Sequence, residues 1–139
     1  MRSITKAEIT DVDSIIQIDI DVIENDSRRD YIEHAIHKGT CIIVQNDASI
    51  VGFLTYDTSF FDCTFISLII ISPTERRKGC ASSLITYMLS NSPTKKIFSS
   101  TNQSNENMHK VFQANGFIHS GIIENLDEGD PEFIYFIST

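Results

Sequence analysis

An almost wholly apolar run, from Phe65 to Ser72, constrains the fold more than any other part of this sequence. A strand of this composition is typical of the middle of a sheet, where both faces are covered. Pro73 ends it, because proline cannot donate a hydrogen bond to a neighbouring strand. An amphipathic helix follows Gly79, and residues 96–101 read as another short strand. The apolar side of that helix consists of Ala81, Leu84, Ile85, Met88 and Leu89. Strand, helix and strand in this order predict a right-handed crossover between two parallel strands.

Two hydrophobic periods alternate along the rest of the chain. Apart from the crossover, we predict strands at 2–7, 40–45, 50–58, 117–125 and 132–138, and helices from about 11, at 27–38 and from about 105. Gly39 and Gly116 stand where helix ends favour a positive φ angle. The residues suited to begin helices are Thr10 or Asp11 and Ser104 or Asn105. The order β-α-α-β-β-β-α-β-α-β-β predicts one α/β domain over residues 1–139, with a sheet of mixed direction.

The chain is acidic, with 11 Lys and Arg against 19 Asp and Glu, and its formal net charge is −8. Binding to nucleic acid or to an anionic membrane surface depends on Lys and Arg, so neither partner is expected. No apolar run approaches the roughly 20 residues that span a bilayer, and the first residues lack the apolar core of a signal peptide. Cys41, Cys63 and Cys80 show no metal-binding spacing. We therefore predict reduced thiols, no metal site and a cytoplasmic protein.

The loop from Arg76 to Ala81 carries the clearest signal for chemistry. It leads into a helix start, where backbone N–H groups lack an intrahelical partner and the helix dipole favours an anion. Gly79 lets a ligand approach the backbone closely. Three cations, at 76–78, crowd an end of the helix that disfavours them unless a polyanion lies among them. A solvated basic turn is the alternative interpretation. Neither the P-loop pattern nor the dinucleotide-binding glycine pattern is present.

Residues 76–81 read Arg-Arg-Lys-Gly-Cys-Ala, which matches the loop signature of the GNAT acetyltransferases: Gln or Arg, two variable residues, Gly, one variable residue, then Gly or Ala. Further along, Asn105, Met108, Val111, Phe112 and residues 115–117 resemble the second motif of that family. Residues 4–7 and 11–13 resemble the family's opening, so the likeness covers nearly the whole chain. It implies a mixed, mostly antiparallel seven-stranded sheet with about four helices. In such a fold the central fourth and fifth strands are parallel and splay around the acyl-CoA site.

The resemblance implies acetyl-CoA as the acyl donor. Backbone amides of residues 77–81 would bind the CoA pyrophosphate, and Arg76 would steady the loop or the phosphates. The apolar strand would pair with the pantetheine arm, and Asn105 would touch that arm. The implied cofactor-binding residues are Leu68, Ile69, Ile70, Ile71, Arg76, Arg77, Lys78, Gly79, Cys80, Ala81, Ser82, Asn105 and Phe112.

The reaction implied by the resemblance is direct attack of an amine on the thioester in a ternary complex. A backbone N–H near Ile70 would stabilise the oxyanion. The sequence departs from the family at two positions. Phe112 stands where many members have the tyrosine that protonates the CoA thiolate, and phenylalanine has no proton to give. Ser67 stands where many members have a carboxylate in the central strand.

Other residues must therefore take these roles, or the reaction proceeds without them. Candidates for the acid are Tyr135, Tyr56 and Ser100. Candidates for the base are Glu24, Asp26, Asp57, Asp62, Asp130 and Glu132, besides solvent and the substrate itself. We select Tyr135, Ser100 and Glu132 as the catalytic set. His109 is expected at the surface, with a contact to the cofactor as the alternative. The turn at Phe60 and Phe61 is either packing or part of the acceptor pocket.

The leading function is acetyl transfer from acetyl-CoA to a primary amine, either a small molecule or a protein amine. The acidic balance, including the 127–132 turn, favours a cationic acceptor. The alternative is an acyl-CoA sensor with little turnover, which the two departures would explain. A third possibility is an interaction protein that reuses the fold and binds no CoA. Homodimers are common in this fold, so a second copy is a potential partner.

Overall fold

The computed structural model describes residues 1–139 and contains the predicted order of strands and helices. The strands are β1 (Arg2–Lys6), β2 (Cys41–Asn46), β3 (Ser49–Phe60), β4 (Cys63–Ile71), β5 (Lys96–Asn102), β6 (Ile118–Ile123) and β7 (Glu132–Ser138). The helices are α1 (Val12–Ile23), α2 (Arg29–Lys38), α3 (Cys80–Asn91) and α4 (Glu106–Ala114), with short 3-10 turns at Ile9–Asp11 and Pro73–Glu75. None of the helices has the length and apolar character that crossing a bilayer would require.

All seven strands belong to one mixed sheet, in the order β1-β2-β3-β4-β5-β7-β6. The pairs β1 with β2, β2 with β3, β5 with β7 and β6 with β7 are antiparallel. β4 and β5 are parallel, and residues 64–66 of β4 lie opposite residues 97–99 of β5. The prediction of two parallel strands joined through a helix is therefore confirmed.

Local backbone signals placed the helix ends well. Gly39 closes α2 with a φ angle of 76°, and Gly116 follows α4 with a φ angle of 89°. Asn105 begins α4, and its side-chain oxygen accepts a hydrogen bond from the Met108 amide at 3.2 Å. α2 begins two residues later than predicted, and Tyr31, expected on its apolar side, is 44% exposed.

The chain divides into two compact units. Unit 1 comprises residues 1–56 and 68–87, and unit 2 comprises residues 57–67 and 88–139. The core of unit 1 forms where the apolar sides of α1 and α2 meet β2 and β3, with Ile15, Ile32 and Phe53 fully buried. At the typical ~25 cal/mol per Å² of buried apolar area, such side chains supply most of the stabilisation of a unit of this size.

One charged group is buried in unit 1. The Asp19 side chain on α1 is 2% exposed, and it accepts hydrogen bonds from Arg28 Nη2 at 2.5 Å and from Arg28 Nε at 3.2 Å. Arg28 precedes α2, so this two-point ion pair ties the start of α2 to α1. A buried carboxylate without such a partner would be strongly destabilising.

The apolar strand differs from its prediction in one respect. Of the residues in β4, only Thr64 and Ile66 are buried, whereas residues 68–71 are all partly exposed. Leu68 and Ile70 pack against the core of unit 1. A strand's own sequence does not show whether a neighbour covers its second face, which is why the prediction of burial on both faces is wrong here.

On β3, Gly52 lies so close to β4 that an added Cβ would be 2.9 Å from the Ile70 carbonyl oxygen.

Candidate functional site

The basic loop of unit 1 begins where β4 ends. The Ser72 amide donates to the Val51 carbonyl at 2.8 Å, and the 3-10 turn at Pro73–Glu75 follows. Arg77 and Gly79 both have positive φ angles, of 62° and 83°. Only glycine adopts such an angle without cost, so Gly79 is required by the backbone as well as by any ligand that approaches it.

The start of α3 presents backbone donors. The first hydrogen bond of the helical ladder runs from the Ser83 amide to the Gly79 carbonyl at 3.0 Å. The amides of Gly79, Cys80 and Ala81 precede this bond, so they lie outside the helical ladder and contribute to the positive end of the helix dipole. Ser82 is the third residue of α3. Such an arrangement is suited to bind a phosphate group.

Four cations surround this helix start. Arg76, Arg77 and Lys78 are exposed on the loop. Arg76 Nε donates to the Ile71 carbonyl at 3.4 Å, and Lys78 Nζ lies 3.5 Å from Glu75. These exposed contacts are weak, so the side chains can turn towards a ligand at little cost.

Arg2 of β1 is the fourth cation, and sequence reasoning missed it. Its Nη2 atom donates to the Lys78 carbonyl at 2.5 Å, and its Nη1 atom donates to Ser83 Oγ at 3.1 Å. Arg2 therefore braces both the loop and the first turn of α3. No local pattern could reveal this contact, because it joins residues at opposite ends of unit 1 in the sequence.

A tyrosine is buried in unit 2. Tyr135 of β7 is opposite Ser99 of β5 and His119 of β6, and it is 2% exposed. Its ring stacks on Phe112 of α4, with the ring centroids 4.9 Å apart. Burial raises the pKa of the Tyr135 hydroxyl, against a smaller lowering by a hydrogen bond with Gln113. The phenol therefore keeps its proton at neutral pH.

His109 of α4 bonds to this tyrosine. Its Nδ1 atom lies 2.6 Å from the Tyr135 hydroxyl oxygen, and its Nε2 atom lies 3.0 Å from the Gln103 carbonyl oxygen. The imidazole also contacts the ring of Phe133, at a centroid distance of 5.2 Å. The expectation of an exposed His109 is therefore wrong, because the side chain is half-buried between α4 and β7.

Two further candidates lie together in unit 2. Ser100 Oγ of β5 donates to Glu132 Oε2 of β7 at 2.6 Å. Strand pairing places Glu132 opposite Asn102, so the serine reaches it diagonally across the two strands. A half-buried carboxylate with one hydroxyl donor retains a second oxygen that can accept a proton.

The remaining candidates are more dispersed. Tyr56 belongs to unit 1, where burial and then the neighbouring Tyr87 raise its pKa. Asp57 accepts hydrogen bonds within its own turn, from Ser59, and Asp130 accepts two from Ser104, in the loop before α4. These bonds occupy both carboxylates, and those of Asp57 also shape its turn. Asp26 lies 3.9 Å from Arg29, and Glu24 and Asp62 have positive φ angles at turns.

An open depression of about 510 Å³ lies on the surface of unit 2. Its lining combines aromatic and aliphatic side chains with a single cation: Phe60, Phe61, Cys63, Lys96, Phe98, Ser120, Gly121, Ile122, Ile123 and Ile134. Phe60 packs against Phe65 and Phe98 with centroid distances of 4.9 and 5.0 Å. Phe61 is 84% exposed and has a φ angle of 52°, which is unusual for a bulky residue.

The Acetyltransferase (GNAT) family model matches residues 9–117, which is most of the chain. A GNAT-family acetyltransferase from Bacillus cereus is 70% identical, with a TM-score of 0.98, covering 100% of this chain and 98% of that one. No match was found among curated proteins.

Two more distant solved structures share the fold. The ribosomal-protein-S18-alanine N-acetyltransferase of Escherichia coli is 14% identical, with a TM-score of 0.84, over 99% of this chain and 94% of that one. YncA of Salmonella typhimurium, solved with its cofactor acetyl-CoA, is 13% identical, with a TM-score of 0.79, over 99% and 93%. From the family model and the Bacillus relative together, the chain belongs to the GNAT acetyltransferase family.

Proposed function

We propose that this protein transfers the acetyl group of acetyl-CoA to a primary amine. The observation that carries the proposal is the basic loop, where the amides of Gly79, Cys80 and Ala81 open the helix α3 among four cations. A pyrophosphate matches this arrangement in charge and in hydrogen-bonding capacity. The partly exposed apolar stretch from Leu68 to Ile71, directly before the loop, suits the pantetheine arm.

The remaining cofactor contacts are proposed from the family likeness. They are Arg76, Arg77, Lys78 and Ser82 at the pyrophosphate, and Asn105 and Phe112 along the arm of the cofactor. Asn105 uses its side-chain oxygen to begin α4, and its amide nitrogen can donate to a ligand. Arg2 joins this set as the residue that braces the loop.

The chemistry requires few steps. The neutral amine nitrogen attacks the thioester carbonyl, the new C–N bond forms, and the C–S bond breaks. A backbone N–H near Ile70 stabilises the negative oxygen of the intermediate. The nitrogen loses a proton to a base, and the CoA thiolate gains a proton from an acid.

Tyr135 is the acid in this proposal. Its ring stacks on Phe112, the residue that replaces the tyrosine found in many members of the family. A phenol is therefore supplied from β7 where α4 lacks one. The raised pKa keeps this hydroxyl protonated and ready to donate.

Glu132 is the base, with Ser100 holding one of its oxygens. The acceptor is an amine that is cationic in solution. The net charge of −8 and the acidic 127–132 turn would attract such a molecule to the protein. The depression at Phe60 and Phe61 supplies an apolar wall for the acceptor's carbon skeleton. The three cysteines are free thiols, in keeping with the cytoplasm as the place of action.

Turnover with amines tests the proposed function. Incubation of the purified protein with acetyl-CoA and a panel of diamines, amino acid amides and short peptides should yield N-acetylated products, detected by mass spectrometry. Cationic acceptors should give the higher kcat/KM. Binding of acetyl-CoA without product from any amine would favour the alternative function, an acyl-CoA sensor. That alternative is suggested by Phe112 and Ser67, which stand where many family members have a tyrosine and a carboxylate.

Replacing the proposed acid should slow the reaction. We expect Tyr135→Phe to lower kcat by about 100-fold, the lower end of the range for acid–base catalysis, with an unchanged KM for acetyl-CoA. Tyr56→Phe removes the same hydroxyl from the competing candidate and provides the comparison. A large loss of kcat in Tyr56→Phe with none in Tyr135→Phe would transfer the role to Tyr56.

A further inference from the structure

The hydrogen bonds of His109 define its neutral tautomer. A main-chain carbonyl oxygen only accepts hydrogen bonds, so the contact with Gln103 requires a hydrogen on Nε2. A neutral imidazole carries one hydrogen, and Nδ1 is therefore an acceptor. The Tyr135 hydroxyl is then the donor of the short hydrogen bond to Nδ1, and its hydrogen points at His109.

Protonation of His109 reverses this bond. Both nitrogens of the imidazolium are donors, so Nδ1 donates to the Tyr135 oxygen and the tyrosine's own hydrogen must point elsewhere. The oxygen itself moves little, because the ring is 2% exposed and stacked on Phe112. The charge on His109 thus decides in which direction Tyr135 offers its proton.

We infer that His109 is a positioning residue that aims the Tyr135 hydroxyl and restores its proton. The inference rests on the proposed function, in which Tyr135 protonates the CoA thiolate. The Tyr135 O–H bond breaks as the S–H bond of CoA forms. The Nδ1–H bond of the imidazolium breaks as a new O–H bond forms on Tyr135. His109 ends neutral and takes its next proton from water.

The surroundings of the pair come from three elements. β7 contributes Phe133 beside the imidazole, and β6 contributes His119, whose ring centroid is 6.0 Å from that of Tyr135. α4 contributes Gln113, which hydrogen-bonds to the tyrosine. The charged neighbours of His109 along α4 are Glu106 and Lys110, and both are exposed. His119 is therefore the titratable group whose effect must be separated from that of His109.

The test replaces each histidine by glutamine. Glutamine offers an oxygen that accepts and a nitrogen that donates, so His109→Gln can imitate the neutral imidazole but cannot take up a proton. His119→Gln is the matched control. The wild type and both variants are compared by kcat and by the KM for acetyl-CoA, measured with a saturating acceptor of low basicity.

In His109→Gln, kcat should fall at least 10-fold, while the KM for acetyl-CoA and the thermal shift with acetyl-CoA stay as in the wild type. His119→Gln should keep the wild-type kcat. An unchanged kcat in His109→Gln, beside an impaired Tyr135→Phe, would overturn the inference and leave the proposed function intact. Full activity of Tyr135→Phe would instead show that Tyr135 is not the acid, which would overturn both that part of the proposed function and the inference.

Nitrogen NMR of the labelled protein provides a readout that is independent of turnover. In its neutral form, His109 should show a protonated Nε2 and an unprotonated Nδ1, as its two partners require. Observation of the opposite tautomer would contradict the proposed direction of the tyrosine hydrogen bond.

Discussion

Gly79→Asp should abolish the stabilisation of this protein by acetyl-CoA. At a ligand concentration of 100 times its dissociation constant, the wild-type free energy of unfolding should rise by about 2.7 kcal/mol. For 139 residues this corresponds to an increase in Tm of about 9 °C. The variant places a carboxylate among the amides and cations of the loop, where it repels a pyrophosphate and fills the space that glycine leaves. We expect no shift in its Tm.

The matched control is Gly129→Asp. Both glycines have a positive φ angle, 83° at Gly79 and 74° at Gly129, so the backbone strain of the two substitutions is similar. A Cβ on Gly129 meets nothing within 4 Å, and the residue lies in the turn before β7. This variant should lose a similar amount of stability yet keep the full ligand shift. An equal increase in Tm with acetyl-CoA in the wild type and in Gly79→Asp would show that the loop does not bind the pyrophosphate.

Asp19→Ala, which removes a buried charge, should lower the free energy of unfolding substantially. Removal of one partner from a buried ion pair costs about 3 to 5 kcal/mol, because the other charge remains without compensation. Arg28 is 30% exposed, so part of its charge can be hydrated and a value of about 3 kcal/mol is expected. Urea unfolding should show this as a lower midpoint with an unchanged slope.

Asp21→Ala is the control on the same helix. Asp21 is exposed, and its carboxylate accepts one hydrogen bond, from Gln17 at 2.8 Å. Its removal should change the free energy of unfolding by no more than about 0.5 kcal/mol. Similar losses in the two variants would show that the Asp19 ion pair contributes no more than a surface carboxylate does.

The sequence was sufficient to identify features that depend on neighbouring residues. Hydrophobic period distinguished helices from strands, and their order along the chain is confirmed. Gly39 and Gly116 were placed correctly because positive φ angles favour glycine wherever the rest of the chain lies. The basic loop was recognisable for the same reason, since its glycine, cations and helix start are contiguous.

The candidate site depends on contacts between distant residues, and here the predictions were incomplete. Tyr135, Ser100 and Glu132 were named, but the sequence did not pair Ser100 with Glu132 or give Tyr135 a histidine partner. His109 looked like a surface residue of α4 because its partners lie on β7 and in the loop before the helix.

What the sequence determined by itself was therefore local: the type and order of the elements, the turns that require glycine, and the family motif of the loop. Only the tertiary structure decided that residues 68–71 of β4 stay partly exposed, that Arg2 braces the loop and that Asp19 is neutralised by Arg28. The physical reason is that backbone conformation is governed by interactions a few residues apart. Burial, ion pairing and hydrogen-bond partners arise instead when elements far apart in the chain are packed against one another.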